Sequence, residues 1–462
     1  MHKFLRFIFC GLFFLSCSFA VAKDFLSISD IHFNPLEICD DHTNPNCNSL
    51  IEELHNSEGN SWGIIFKKYY QKNKITVYGK NTNYILLNSF LEEIKKQSSK
   101  KKFEFVIVLG DFLAHYFIQN YNAYTKNMPK NKYDSVELFV SKTMQYIAYE
   151  LRNSIGNNIE IFPVLGNNDS SVDNYNVDNP KKSNFYKNLQ ITWGNLNKGV
   201  LNSSSFLEGG YYIADTGLNN LKIIALNTNI FSINGKSQDN LNLKNMSINQ
   251  LDWLENILKK NKKDNFLIIS HIPSGVDAYT TAIRIEKSKD KVSFWSSKNY
   301  NIENNYLKIL SNYSNNINGI FVGHTHHDGF QILNQELGLY TVSVPSVSPV
   351  HFNNPSFKIF SMNDANNLEN SVTNYFDLKE KKWIQGNSFN EIFECKNIFI
   401  GIQGLVGKWL KNLSEPDEKF MKYFFVNSPF ANQISSKWKY YACAMSDNLE
   451  SRDYLNCIKQ EN

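Results

Sequence analysis

The chain has 462 residues, of which 42% are hydrophobic and 20% are charged. This is the composition of an ordinary globular protein with enough apolar material for a large core. The length exceeds that of most single domains, so one large domain with an appendage, or two domains, is expected. The formal net charge of +4 argues against a protein that binds nucleic acid or an anionic membrane through bulk charge.

The first 22 residues have the pattern of a cleaved export signal. Lys3 and Arg6 form a basic start, residues 7–15 are almost wholly apolar, and Ala20-Val21-Ala22 is a small-x-small cleavage site. The apolar run is too short for a membrane-spanning helix, and no later segment is a candidate. Cleavage would leave 46 basic residues against 44 acidic ones, a net charge of about +2. A secreted or periplasmic protein is predicted, with a lipid anchor on Cys17 as the alternative.

Beyond the signal, short apolar runs alternate with polar loops and amphipathic segments. Helical apolar spacing predicts helices over 84–94 and 247–258, the second starting with a capping box of Ser247 and Gln250. Several apolar runs are continuous, which is typical of strands buried within an α/β fold. Near the end, an alternating pattern predicts a hairpin, and helical periodicity from about residue 386 predicts a smaller helical region. Strands are predicted at 25–29, 103–109, 159–165, 221–226, 266–269 and 320–322, and the hairpin at 357–362 and 372–378.

Seven cysteines are present, two of them inside the export signal. Close pairs in an exported protein usually form disulfides. We therefore predict one disulfide between Cys39 and Cys47 and another between Cys443 and Cys457. Cys395 is left over, either free and buried or bonded differently.

Five short polar segments, four of them directly after an apolar run, combine side chains that bind divalent metals. They offer carboxylate, imidazole and amide ligands, which suit borderline-hard cations. A lone Asp after a strand is more often a turn or cap residue, and a lone His is usually a satisfied polar group. Five such segments in one chain predict a two-metal phosphoester-cleaving centre. They are Ser29-Asp30-Ile31-His32, Gly110-Asp111, Gly166-Asn167-Asn168-Asp169, Ser270-His271 and Gly323-His324-Thr325-His326.

A pair of cations about 4 Å apart can hold both the attacking and the leaving oxygen of a displacement at phosphorus. One ligand must then bridge the ions, and Asp111, at the end of a buried strand, is the candidate. A water between the ions would become acidic enough to act as the nucleophile. The other six candidate ligands divide as follows: Asp30 and His32 at the first ion, Asn167 and His271 at the second, and one of His324 and His326 at each.

This set resembles the calcineurin-like metallophosphoesterase superfamily, whose pattern is DxH, GD, GNH, H and GHxH. Over about residues 24–380 the chain is similar to the acid sphingomyelinase-like phosphodiesterases, through Gly110-Asp-Phe-Leu-Ala-His115, the segment 344–355 and Ser61-Trp62-Gly63. The resemblance implies an α/β fold, a two-sheet sandwich flanked by helices. It also implies two divalent ions, with zinc favoured over iron or manganese. The predicted domains are a catalytic domain at 23–385 and a helical C-terminal region at 386–462.

One position departs from that pattern. The His that usually follows the ligand Asn in this superfamily is Asn168 here, so this catalytic position lacks its acid. The GNND form resembles the endopolyphosphatase branch. Protonation of the leaving group would then fall to His115, whose alternative role is a hydrogen bond to the ligand set. We also expect His351 to line the substrate pocket or lie at the surface, and His327 with Asp328 to orient the ligand loop.

These patterns predict an exported phosphohydrolase or phosphodiesterase. Sphingomyelinases carry an N-terminal saposin domain, whereas here only Lys23 separates the predicted cleavage site from the first strand. Soluble substrates are therefore favoured, with nucleotides first, polyphosphate second because of Asn168, and a phospholipid headgroup third. The alternative is a non-catalytic binding or effector module on the same fold, which the missing His alone supports. The oligomeric state stays open.

Overall fold

The computed structural model describes most of the chain beyond the predicted export signal. The signal, with its alternative anchor at Cys17, lies outside the described residues. These are 23–41, 43–71, 74–128, 135–237, 242–287, 291–296, 301–447 and 450–460.

The first of two large sheets contains three parallel strands continued by an antiparallel meander. A fourth strand pairs with one of the parallel strands in the antiparallel sense, and two more antiparallel strands follow it. In spatial order the strands are β14 (Lys382–Ser388), β13 (Leu368–Asp377), β12 (Ser356–Met362), β1 (Lys23–Ile28), β2 (Phe105–Val108) and β3 (Glu160–Pro163).

The second sheet has four parallel strands in the centre and an antiparallel strand at each edge. Two further strands of two residues each, β4 (Asn176–Val177) and β7 (Lys236–Ser237), pair in parallel beside it. In spatial order the large sheet has β10 (Gly329–Asn334), β11 (Leu339–Ser343), β9 (Ile317–Val322), β8 (Asn265–Ile269), β6 (Leu221–Ala225) and β5 (Tyr212–Asp215).

Aromatic side chains from the two sheets meet in the core. Phe25 on β1 stacks on Phe360 of β12 and meets the edge of Phe321 on β9, with ring centroids 5.1 and 5.4 Å apart. All three side chains are fully buried. Such offset and edge-on contacts add to the stabilisation that comes from burying large apolar surfaces. The predicted two-sheet sandwich is thereby confirmed.

Helices cover the outer faces of both sheets. Phe90 packs on Phe357 of the first sheet. Leu254 and Leu310 lie in a second apolar cluster with Ile268 of the second sheet. The helices preceding β9 are α1 (Cys47–His55), α2 (Trp62–Tyr69), α3 (Tyr84–Lys100), α4 (Phe117–Thr125), α5 (Val136–Ile155), α6 (Phe185–Gly194), α7 (Lys198–Leu201), α8 (Ser204–Gly209), α9 (Leu243–Lys260), α10 (Ala278–Glu286) and α11 (Ile302–Asn312).

The predicted capping box at Ser247 is wrong. Helix α9 begins four residues earlier, with the side chain of Asn242 accepting a hydrogen bond from the Asn245 backbone N–H. Ser247 lies inside the helix and donates its hydroxyl to the carbonyl of Ile230. The amide of Gln250 pairs with the backbone of Asn227 instead of capping the helix. The helix is capped by Asn242, and tertiary contacts take up the two side chains that match the capping pattern.

The C-terminal region is helical, as predicted. Trp409 and Phe420 of this region belong to the same core as the first sheet.

Both predicted disulfides are confirmed, with Cα–Cα distances of 5.1 Å for Cys39–Cys47 and 6.0 Å for Cys443–Cys457; Cys395 is free. In the described part of the chain, no helix is both long and apolar enough to cross a bilayer. The helices are α12 (Phe389–Phe393), α13 (Ile398–Trp409), α14 (Glu418–Phe424), α15 (Trp438–Met445) and α16 (Ser451–Ile458).

Candidate active site

The five polar segments lie at the carboxyl ends of five parallel strands. Asp30 follows β1, Asp111 follows β2 and Asn167 follows β3. His271 and His324 follow β8 and β9 of the second sheet. Parallel strands deliver their carboxyl ends to one edge, which is where α/β sheets hold their binding sites. The sandwich therefore brings all seven predicted ligands to one place.

The first group of ligands consists of Asp30, His32 and His326. The Nε2 atoms of His32 and His326 are 3.1 Å apart, and Nε2 of His326 is 3.3 Å from Oδ1 of Asp30. Oδ1 of Asp30 is buried and has no hydrogen-bond donor among the described residues. Three potential lone-pair donors thus face one small volume, which is an arrangement that a cation stabilises.

The second group consists of Asn167, His271 and His324. Nε2 of His271 lies 2.9 Å from Oδ1 of Asn167. Nε2 of His324 lies 3.1 Å from the hydroxyl of Tyr175, so an N–H donated to that oxygen would leave Nδ1 of His324 free as a ligand. The side-chain amide of Asn167 donates to Asn174, which turns its oxygen towards His271.

Asp111 lies between the two groups. Its Oδ2 atom is 3.3 Å from Nε2 of His32 and 3.4 Å from Nε2 of His271. Asp111 belongs to one cluster of possible metal ligands with Asp30 and His32 and to another with His271 and His324. The two imidazoles hold the pKa of this carboxyl well below its usual range, even though burial alone would raise it.

Backbone contacts orient the imidazoles. Nδ1 of His32 is 3.0 Å from the carbonyl oxygen of Leu113, and Nδ1 of His271 is 2.6 Å from that of Leu109. A carbonyl oxygen only accepts, so both Nδ1 atoms carry the proton and both Nε2 atoms face the carboxylates. Burial alone would lower the pKa of His271, but the Asp111 charge raises it to about 9. The site favours positive charge at this point, and a bound cation would supply it.

Five of the seven ligand residues have left-handed backbone conformations, with φ between 45° and 68°. Such conformations are unfavourable for residues with a side chain, by about 1–3 kcal/mol each, and they concentrate at functional sites. Backbone hydrogen bonds between loops hold them: the N–H of Asp30 donates to Gly110 and that of Ser346 to His326. A Cβ atom at Gly323 would collide with the Asp30 carboxylate. The five residues are Asp30, His32, Asp111, His324 and His326.

Asn168 and Asp169 hold the neighbouring ligands in place. Asn168 donates its backbone N–H and its side-chain amide to the two oxygens of Asp111, at 2.8 and 2.7 Å. The buried carboxylate of Asp169 accepts three backbone N–H groups, from Gly166, Phe112 and Leu113, and so ties two ligand loops together. Sequence reasoning gave Asp169 no role, although its place two residues after a candidate ligand was a usable signal.

His115 lies flat against His32, with ring centroids 4.1 Å apart and planes inclined by 14°. Its Nδ1 atom is 3.3 Å from Oδ1 of Asn81, a partner that the sequence did not reveal. Burial and the neighbouring His32 lower the pKa of His115 to about 2. The imidazole is therefore neutral at pH 7 unless an anion lies beside it, with Nδ1–H donating to Oδ1 of Asn81 and the Nε2 lone pair free.

His351 borders the same centre, and His327 packs against the C-terminal region. The ring of His351 meets the face of His326 at 4.3 Å and that of His115 at 5.7 Å. His351 lies in the wall of a cavity and its side chain is also exposed at the surface, so the two positions predicted for it are both occupied. His327 instead stacks on Phe424 of the C-terminal region, at 4.5 Å and 5°.

A cavity of about 550 Å³ opens over the cluster. Asp111, His324 and His351 lie in its wall, and Tyr175 and Trp295 border it near the second ligand group. The Trp295 ring stands edge-on to His324, with centroids 5.0 Å apart and planes at 83°. The cavity has the size of a small-molecule site, and its wall combines metal-binding groups with aromatic surface.

Comparisons with known proteins agree with this geometry. The family model for calcineurin-like phosphoesterases matches residues 24–328, and the chain belongs to this family. Cyclic GMP-AMP phosphodiesterase SMPDL3A of Bos taurus is 28% identical over 82% of this chain and 80% of its own length. Sphingomyelinase phosphodiesterase D of Dictyostelium discoideum is 26% identical over 73% of this chain and 70% of its own.

Likeness to solved structures is weaker. The NAD nucleotidase of Haemophilus influenzae matches 86% of this chain and 61% of its own, at 11% sequence identity and a TM-score of 0.32. That similarity is too low to bear on function. The family membership and the phosphodiesterase relatives make this chain a metal-dependent phosphoric ester hydrolase.

Proposed function

We propose that the protein is an exported two-metal hydrolase that cleaves phosphodiester or phosphoanhydride bonds of soluble substrates, with nucleotides as the main class. One observation carries the two-metal part: a single oxygen of Asp111 lies at 3.3 and 3.4 Å from imidazoles of two different ligand groups. A carboxylate in that position is suited to bridge two cations. Two disulfides support export, because such bonds persist in oxidising compartments.

The proposed ligands are chemically suited to zinc, iron or manganese, since they combine imidazole nitrogens with carboxylate and amide oxygens. Bound ions would polarise the phosphoryl oxygens and lower the pKa of water. Asp30, His32, Asp111 and His326 would hold the first ion. Asp111, Asn167, His271 and His324 would hold the second.

The remaining residues of the site orient these ligands and move a proton. Asn168 fixes both oxygens of Asp111, which keeps the bridge from rotating. A substrate phosphate beside His115 would favour the protonated imidazole, because the anion opposes the effect of burial. The Nδ1–H would keep its hydrogen bond to Oδ1 of Asn81 while Nε2 gives its proton to the leaving oxygen, which leaves a neutral imidazole.

The cavity supports a small substrate with an aromatic group. Its volume of about 550 Å³ accommodates a molecule of nucleotide size, and Trp295 and Tyr175 offer ring surface beside the second ligand group. The relative from Bos taurus is described as a cyclic GMP-AMP phosphodiesterase, which favours a nucleotide bond as the target. Polyphosphate and a lipid headgroup remain the competing substrates.

Replacing the indole of Trp295 tests the aromatic wall. Trp295→Ala is expected to raise KM for a nucleotide substrate about tenfold, since stacking of a base on an aromatic ring contributes roughly 1–3 kcal/mol. KM for inorganic triphosphate, which has neither a base nor a quaternary ammonium group, should stay within about twofold. Steady-state kinetics on both substrates measure this, and Trp295→Phe should recover most of the loss. An equal change for both substrates would count against stacking at this position.

The function itself is tested with protein that starts at Lys23. Incubation with ATP, with and without a chelator, followed by identification of the phosphorus-containing products, reports both activity and the bond that is cut. We expect chelator-sensitive conversion to ADP, AMP or pyrophosphate, restored by adding Zn²⁺ back. Protein that holds two metal ions but converts no nucleotide would redirect the assignment, and parallel reactions with polyphosphate and sphingomyelin would identify the substrate.

A further inference from the structure

The ligand turn that carries His324 and His326 ends at Asp328, which is completely buried. The Asp328 carboxylate accepts hydrogen bonds from the ammonium group of Lys358 on β12 and from the hydroxyl of Thr373 on β13. Lys358 is only 1% exposed, so two opposite charges lie inside the protein next to the metal-binding turn. Burying such a pair is costly unless every partner is well placed.

The C-terminal region completes this buried network. Lys358 also donates to the phenolic oxygen of Tyr423 on α14. The next residue, Phe424, accepts a 3.0 Å hydrogen bond from the Asp328 backbone N–H. Phe424 also stacks on His327, the residue that directly follows the ligand His326. Three different kinds of contact therefore join the end of α14 to a single turn.

The same segment holds the loop that carries His351. The Asn354 amide donates to the carbonyl of Val426 at 2.9 Å. The Ser428 hydroxyl donates to the carbonyl of Phe352. Val426 and Asn427 have φ angles of 54° and 55°, so the backbone turns sharply between these contacts. Left-handed residues at such a turn are unfavourable unless the surrounding contacts fix them.

We infer that residues 423–428, the C-terminal contact segment, position the metal-binding turn, so that the helical region is part of the active site's architecture. Tyr423 is on this account a positioning residue that acts through Lys358 and Asp328 on His326. This inference rests on the proposed two-metal function. It adds that metal affinity depends on a hydroxyl group in a region that provides none of the proposed ligands.

A matched pair of variants tests the inference. Tyr423→Phe removes the hydroxyl that reaches Lys358. Tyr454→Phe removes another buried hydroxyl of the C-terminal region, which donates to the Tyr440 carbonyl at 3.0 Å and touches no part of the metal-binding turn. Zn²⁺ affinity is measured on chelator-stripped protein by competition with a chromophoric chelator, and the melting temperature of each stripped protein is recorded.

Tyr423→Phe is expected to weaken Zn²⁺ binding about tenfold, since groups that orient ligands typically change metal affinity 10–100-fold. Tyr454→Phe should bind Zn²⁺ like the wild type, although both variants lose some thermal stability. Lys358→Met should weaken binding further if it folds, and Tyr423→Phe keeps the test decisive if it does not.

Wild-type affinity in Tyr423→Phe, or an equal loss in both tyrosine variants, would overturn the positioning role. A wild-type protein that binds fewer than two ions of each of zinc, iron and manganese would overturn the proposed function, and with it this inference. Failure of the positioning role is read from the two tyrosine variants, and failure of the proposed function is read from the wild-type protein. The measurement therefore separates them.

Discussion

Asp111→Asn is expected to lower kcat by at least about 10³-fold, which corresponds to about 4 kcal/mol of transition-state stabilisation. The physical reason is the position of Oδ2, which lies within 3.4 Å of imidazoles from both ligand groups. The Asn side-chain amide carries no charge, and its NH2 group is a hydrogen-bond donor that repels a cation. The measurement is chelator-sensitive turnover together with metal content by elemental analysis.

Asp178→Asn is the matched control for this substitution. Asp178 is also buried, and it accepts a hydrogen bond from the Ser171 backbone N–H at 3.2 Å. It belongs to none of the clusters of possible metal ligands among the described residues. The control should retain two ions and most of its activity. If Asp111→Asn kept most of its turnover, Asp111 could not be the bridging ligand.

The site was predictable at positions where a residue type that binds metals directly follows a predicted strand. Asp111 and His271 each follow a continuous apolar run, and such a run indicates a buried parallel strand. The two strands belong to different sheets, so the meeting of these residues, with Nε2 of His271 3.4 Å from Oδ2 of Asp111, was predicted from their shared metal-binding chemistry and depends on how the two sheets pack. The combination of ligand types in the five segments was enough to predict that they form one centre.

The residues that support the ligands were not predictable in the same way. Asn81 meets His115 across 34 residues of sequence, and Trp295 meets His324 through a loop with no regular pattern. Both contacts depend on how irregular backbone folds over the sheet edge, and hydrophobic periodicity carries no information about that. The Ser247 pattern failed for a related reason, because a buried hydroxyl was used in a tertiary contact.

The sequence predicted that the C-terminal region is helical, but it did not predict where these helices pack. Helical periodicity indicated helices, but nothing in the sequence showed that Phe424 stacks on His327. The third strand of the meander, β14, was also missed, since its exposed polar residues give it no clear alternation. The positions of the C-terminal helices and of the strand β14 both depend on the surfaces against which they pack.

His115→Ala is expected to lower kcat about 10²–10⁴-fold on substrates with a poor leaving group, the range typical of a lost general acid. The loss should be much smaller on p-nitrophenyl esters, whose leaving group departs without a proton. His115 also stacks on the proposed ligand His32 at 4.1 Å, so a loss of activity alone would not separate proton transfer from ligand orientation.

His115→Phe separates these two roles, because it keeps a flat ring against His32 and removes the proton. If His115 is the acid, Phe and Ala variants should lose the same activity on natural leaving groups, and both should keep two zinc ions. If the ring only orients His32, the Phe variant should recover activity on every substrate. An equal loss of activity on both kinds of ester, together with a loss of zinc in the Ala variant, would assign His115 to the support of the metal centre.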